Sequence, residues 1–309
     1  MGNLRRRLAC WGVAMILAMA ALHVSAAELG ALQFHEIRAA DGTPLNVVET
    51  GNPDAPVLLL IHGFSQSYMS FHAQLRDPDL NTQFRLIALD LRGHGGSGKP
   101  WVREAYAGHR PWASDIRQVV EFLKLDKPVI VGWSFGGYVA MDYIREYGAS
   151  AVAGLVLTGS HGGLIARRDG PRAKHEGELD AAISNAREFM KLMSAKPVSD
   201  DMFDRGTYAH VMMPAYVRNA MTEKRLDNTD MLESLAVRTL VFLGDQDASL
   251  PVAHTREILE ANHHITTKIL PGVGHSAFIE DADTFNRDLA QFVLGEEDAR
   301  NTATTVLAH

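Results

Sequence analysis

The sequence predicts an α/β protein whose mostly parallel, doubly wound sheet is interrupted by one helical insertion. Three observations carry that prediction. Short runs of continuous apolar residues recur along the chain, as in strands buried on both faces of a parallel sheet. Segments with helical spacing alternate with them, as strand–helix–strand crossovers require. Between about His161 and Thr229 the alternation stops, and helical segments rich in Met and Ala replace it.

Taken in order, Phe34–Arg38 and Leu45–Glu49 flank Asp41-Gly42-Thr43-Pro44, a strand–turn–strand signal. Val57–Ile61 is the first fully apolar run, followed by Leu86–Leu89, Val129–Val131 and Val152–Leu157. Leu240–Leu243 and Ile265–Leu270 close the series. Helical spacing is expected over Tyr68–Leu75, Ala113–Leu123, Gly137–Tyr147, Val252–Ala261 and Ala282–Phe292. Within the insertion it covers Glu178–Met193 and Ala215–Glu223, the latter with Pro214 at its first turn. These elements divide the chain into a core of residues 27–160 and 230–294, a helical lid insertion over 161–229, and a flexible tail over 295–309.

The first 26 residues have a different character. Arg5, Arg6 and Arg7 precede an apolar run from Leu8 to about Leu22, and Val24-Ser25-Ala26 supplies small residues after it. Charge, apolar stretch and small-residue exit in that order describe a secretory signal peptide. The stretch from Leu8 to Ala27 also approaches the roughly 20 residues that span a bilayer, so an uncleaved anchor is the rival reading. Either one places the protein outside the cytoplasm, periplasmic or secreted, with membrane contact only through that segment. Cys10 is the only cysteine. If the signal leaves, the remaining chain has no disulfide, no thiolate nucleophile and no cysteine-ligated metal. Its stability then comes from core burial. The formal net charge is −7 and the charges are interspersed, which speaks against a nucleic-acid partner.

The chemistry centres on Gly132-Trp133-Ser134-Phe135-Gly136, between an apolar strand and a helix. By composition alone a G-x-S-x-G arises in roughly one chain of this length in ten, so its position carries the weight. A nucleophile on a sharp strand-to-helix turn takes strained backbone angles, and glycines two residues to either side relieve the crowding. Serine also needs a base. His275, in Pro271-Gly272-Val273-Gly274-His275, follows the last strand and so sits at the same sheet edge. The imidazole needs a carboxylate to fix its tautomer. Asp247 follows Leu240–Leu243, with Asp245 two residues earlier as turn former or rival acid.

These motifs, with His62-Gly63-Phe64 and Asp90-Leu91-Arg92-Gly93-His94-Gly95-Gly96-Ser97, resemble the α/β-hydrolase family. The likeness is to its branch of small serine esterases, cofactor-free haloperoxidase-like enzymes and carbon–carbon bond hydrolases. It covers about Phe34 to Phe292 and is weakest across the insertion. The chain order Ser134, Asp247, His275 is the order of that fold, and the family's spacing favours Asp247 over Asp245. The resemblance also implies an oxyanion hole formed by the backbone N–H groups of Phe64 and Phe135. It implies no metal and no organic cofactor.

Other conspicuous residues have plainer expected roles. His62 braces the oxyanion loop, His94 is structural or lines the entrance, and Asp90 accepts backbone hydrogen bonds at a strand end. His263 and His264 decorate a helix end, with no carboxylate spaced to complete a metal site. Met212, Met213 and Met221 pack the lid or form a flexible pocket wall. The expected partner is a small, rather apolar ester, thioester or lactone. Carbon–carbon bond hydrolysis and perhydrolysis use the same triad, and a non-catalytic ligand sensor is the alternative outside enzymes. Epoxide hydrolysis and dehalogenation need a carboxylate where Ser134 stands.

Overall fold

The computed structural model describes residues 30–166, 179–197, 199–221, 224 and 226–295. The expected signal segment over 1–26, and the tail beyond residue 295, lie outside the described residues. Eight strands form one sheet: β1 (Gln33–Arg38), β2 (Pro44–Gly51), β3 (Val57–Ile61), β4 (Arg85–Leu89), β5 (Val129–Trp133), β6 (Gly154–Thr158), β7 (Thr239–Gly244) and β8 (Ile265–Leu270). Their spatial order is β1-β2-β4-β3-β5-β6-β7-β8. The first two strands pair antiparallel, β2 also runs antiparallel to β4, and every pairing from β4 to β8 is parallel.

The helices are α1 (His72–Leu75), α2 (Pro78–Gln83), α3 (Arg110–Phe122), α4 (Phe135–Tyr147), α5 (Leu179–Leu192), α6 (Asp200–Met212), α7 (Ala215–Met221), α8 (Val252–Leu259), α9 (Ala277–Glu280) and α10 (Ala282–Leu294). The continuous apolar runs have a direct cause in the layers. Leu59 and Ile61 of β3 face a core shared with Ile116, Val119, Val139 and Tyr143 of α3 and α4. Leu58 and Leu60 face the opposite core, shared with Phe71, Phe278, Phe285 and Leu289. Both faces of the strand are therefore dry, and each such side chain contributes about 2 kcal/mol by burial.

Several boundaries differ from the sequence expectation. The stretch expected as one helix over Tyr68–Leu75 is a 3₁₀ turn, Tyr68–Phe71, leading into α1. A short helix that periodicity did not reveal, α2, follows it. Asp77 caps it by accepting from the N–H groups of Asp79 and Leu80 at 2.9 and 2.8 Å, and Pro78 occupies its first turn. Helix α3 starts three residues before Ala113, with Pro111 in its first turn. Helix α6 was likewise hidden by a weakly patterned sequence, although Ser199 accepts from Met202 N–H as its N-cap.

Parallel register decides where the loops go. Ile61 pairs with Gly132, Trp133 with Thr158, and Thr158 with Phe242. The residues that follow β3, β5, β6, β7 and β8 consequently emerge on one edge. The helical segments between β6 and β7 lie against the loops of that edge. Met213 Sδ accepts from Ser65 Oγ at 3.2 Å, and Gly206 O accepts from Gln66 Nε2 at 3.4 Å. A second tie is buried: Lys224 pairs with Asp142 of α4, donates to Gly108 O at 3.2 Å and lies 5.5 Å from the Trp112 ring. His109 also pairs with Asp142.

Candidate active site

Ser134 occupies the turn between β5 and α4 with φ 50° and ψ −114°, a left-handed conformation that a side chain rarely adopts. The surrounding glycines permit it. A Cβ on Gly132 would lie 2.7 Å from the Gly137 backbone, and one on Gly136 would lie 2.2 Å from Ile61 O. Ser160 Oγ and Thr158 O hold the turn from the neighbouring strand, the first donating to Ser134 O at 2.8 Å and the second accepting from Ser134 N–H at 3.0 Å. Among the described residues the Ser134 hydroxyl itself makes no hydrogen bond.

His275 follows β8 and is only 6% exposed. Two contacts seat it beside the serine turn. The Trp133 indole N–H donates to His275 O at 3.1 Å. Gly159, which takes φ +53°, lies so close that a Cβ there would come within 2.3 Å of His275 O and 3.1 Å of the imidazole. Asp247 reaches the ring from β7, its Oδ2 lying 2.8 Å from His275 Nδ1. Asp247 is ionised and acceptor-only, so Nδ1 carries the proton and Nε2 is left as the basic nitrogen. Burial alone would push the Asp247 carboxyl up, but the hydrogen bonds from His275 and Ser249 outweigh it and hold it below the ordinary carboxylate range. Asp245, the rival acid, is a turn former: its Oδ1 accepts from Gly272 N–H at 2.7 Å.

The expected oxyanion residues stand at the start of α4 and on the loop after β3. Phe135 opens α4, where first-turn N–H groups have no intrahelical acceptor and the helix dipole favours negative charge. Phe64 follows β3, and its ring lies 6.4 Å from that of Phe135. His62 braces this loop as expected. Its Nδ1 donates to Gly63 O at 2.7 Å and its Nε2 accepts from Leu91 N–H at 3.1 Å. Burial pushes its pKa down, which keeps it neutral in this role. His94 donates from Nδ1 to Arg92 O at 2.9 Å and packs 5.1 Å from His62, with its buried Nε2 lacking a partner. Asp90 accepts from the N–H groups of Tyr68 and Gly96 and from the Asn46 amide.

Two functional contacts went unnoticed in the sequence. Ser249 joins the acid–base pair, and its only sequence trace is the Asp-x-Ser spacing of a local side-chain turn. Glu280 accepts from Gly274 and Ser276 N–H on the His275 loop at 3.0 and 3.1 Å, and from Ala195 and Lys196 N–H after α5 at 2.8 and 3.0 Å. No periodicity announces a carboxylate that gathers backbone groups from two distant segments. Among the described residues no group of three His, Cys, Asp or Glu side chains is placed to hold a metal ion.

Comparison with known proteins shows the family and the fold. The model of the alpha/beta hydrolase family matches residues 58–288. A non-heme haloperoxidase of Rhodococcus erythropolis is 27% identical over 279 residues, covering 83% of this chain and 98% of its own. A bifunctional esterase/perhydrolase of Acinetobacter calcoaceticus is 26% identical over 280 residues, again covering 83% and 98%. Among solved structures, the esterase RhEst1 from Rhodococcus superposes with a TM-score of 0.74 at 26% identity, over 84% of this chain and 98% of that one.

Proposed function

The chain belongs to the alpha/beta hydrolase family and is a hydrolase, and from that premise we propose that it cleaves small, rather apolar carboxylic esters, thioesters or lactones through an acyl-enzyme on Ser134. The observation that carries the proposal is the Asp247–His275 pair, hydrogen bonded at 2.8 Å and seated through Trp133 and Gly159 beside a left-handed serine. His275 Nε2 takes the hydroxyl proton as Ser134 Oγ attacks the carbonyl carbon. The oxygen that gains the negative charge faces the N–H groups of Phe64 and Phe135, each donor worth on the order of 3 kcal/mol of barrier. The tetrahedral adduct collapses, the C–O or C–S bond breaks, and His275 returns the proton to the departing alcohol or thiol. Water, deprotonated by the same imidazole, then releases the acid and restores the serine.

The test is steady-state hydrolysis of p-nitrophenyl esters of graded acyl length. Ser134→Ala and His275→Ala should each lower kcat by at least about 10⁴-fold with unchanged circular dichroism. Full activity in either variant removes that residue from the mechanism. The likeness to an esterase/perhydrolase supports a second reading, in which hydrogen peroxide replaces water and the acyl-enzyme leaves as a peracid. Peracid formation from acetate and peroxide by the same protein, lost with Ser134, distinguishes it. We further propose that the first 26 residues direct export, with the helical insertion serving as a lid over the site. Intact mass of protein recovered from an exporting host should correspond to a chain beginning at Ala27 or Glu28; a full-length mass in the membrane fraction would make the segment an anchor.

A further inference from the structure

Ser249 holds an unusual place beside the acid–base pair. Its hydroxyl lies 2.6 Å from Asp247 Oδ1 and 2.9 Å from His275 Nδ1, and its N–H donates to the same Oδ1 at 2.8 Å. The proton inventory fixes the directions. Ionised Asp247 can only accept, so the serine O–H points to Oδ1. The single Nδ1 proton is then shared between Asp247 Oδ2 and the serine oxygen. Oδ1 is fully engaged by Ser249 N–H and O–H, which leaves Oδ2 for the imidazole. Asp247 and His275 are 8% and 6% exposed, whereas Ser249 is exposed.

We propose that Ser249 is a positioning residue of the catalytic site, which orients the Asp247 carboxylate and shares the Nδ1 proton of His275. The proposal rests on the hydrolytic reading of Ser134. Glu280, Asp245 and Lys196 are charged groups beside the loop. The two carboxylates accept from backbone N–H groups, and the Lys196 stem lies 4.0 Å from the Cβ position of Gly272. None of the three hydrogen bonds to the imidazole.

The experiment compares wild type, Ser249→Ala and Ser249→Thr by two readouts, the steady-state kinetics of ester hydrolysis and the ¹H NMR signal of the His275 Nδ1 proton. Exposure at position 249 gives the threonine methyl room. Ser249→Ala should lower kcat about tenfold with little change in KM, since Ser249 holds the acid–base pair and not the substrate. It should also move the ¹H shift of the His275 Nδ1 proton, which loses one of its two acceptors, and Ser249→Thr should restore both. An unchanged Nδ1 proton signal with an unchanged kcat in Ser249→Ala overturns the proposal. Absence of ester turnover in wild type overturns the hydrolytic reading, and the Nδ1 proton signal then still decides whether Ser249 positions His275.

Discussion

At the scale of single residues, the site shows how chemistry that is strained or buried is held in place by neighbours. Ser134 keeps a backbone conformation that few residues tolerate because glycine at 132 and 136 lets β5, α4 and the end of β3 crowd together. His94 is held differently: burial first, then the neighbouring His62, push its pKa well below the ordinary imidazole value. Such a histidine takes up a proton in the unfolded chain before it does so in the fold, so its contribution to stability is present above about pH 6.5 and is lost as pH falls toward the folded value. Urea midpoints should therefore drop between pH 7.5 and 5.5, and His94→Asn should flatten that drop while keeping a donor for Arg92 O. An equal drop in the variant would assign the acid sensitivity elsewhere. The sequence made Ser134, His275 and Asp247 legible because each follows an apolar run by a few residues. Ser249 and Gly159 stayed hidden, since their importance lies in a hydroxyl direction and in a positive φ that no spacing encodes.

Secondary-structure elements explain how those residues meet. Parallel pairing aligns the ends of β3, β5, β6 and β7, so loops distant in sequence open on one rim. The apolar runs that form these strands were readable because both faces are buried, which leaves no polar alternation to confuse them. Short elements were not: α2 depends on its Asp77 cap and α9 on tertiary contacts more than on periodicity, and α6 shows too little amphipathic contrast. Glu280, at the end of α9, joins the segment after α5 to the His275 loop through four backbone N–H groups. Glu280→Ala strips several donors of their charged acceptor and should destabilise the fold by about 2 kcal/mol. Faster hydrogen exchange at Gly274, Ser276, Ala195 and Lys196 is the local signature to measure. Unchanged exchange at the insertion amides would mean that Glu280 does not couple the two segments.

For the whole molecule, the mostly parallel sheet with two dry faces supplies rigidity, and the described helical segments between β6 and β7 form a wall against the loops of its rim. Contacts such as Ser65–Met213 and the buried Lys224–Asp142 pair fasten that wall to the core. Neither was visible in the sequence, because they join residues 148 and 82 positions apart without a shared motif. The chain order of the three catalytic candidates was readable, because every one falls on the same side of the alternating strand pattern. All of the proposed chemistry depends on Ser134 being a nucleophile activated by His275. The most direct measurement is intact-mass and peptide mapping of the purified protein after exposure to a fluorophosphonate. One adduct should form, on the Ser134 peptide, and His275→Ala should suppress it. A wild-type protein that stays unmodified, or that carries its adduct on another serine, contradicts the mechanism.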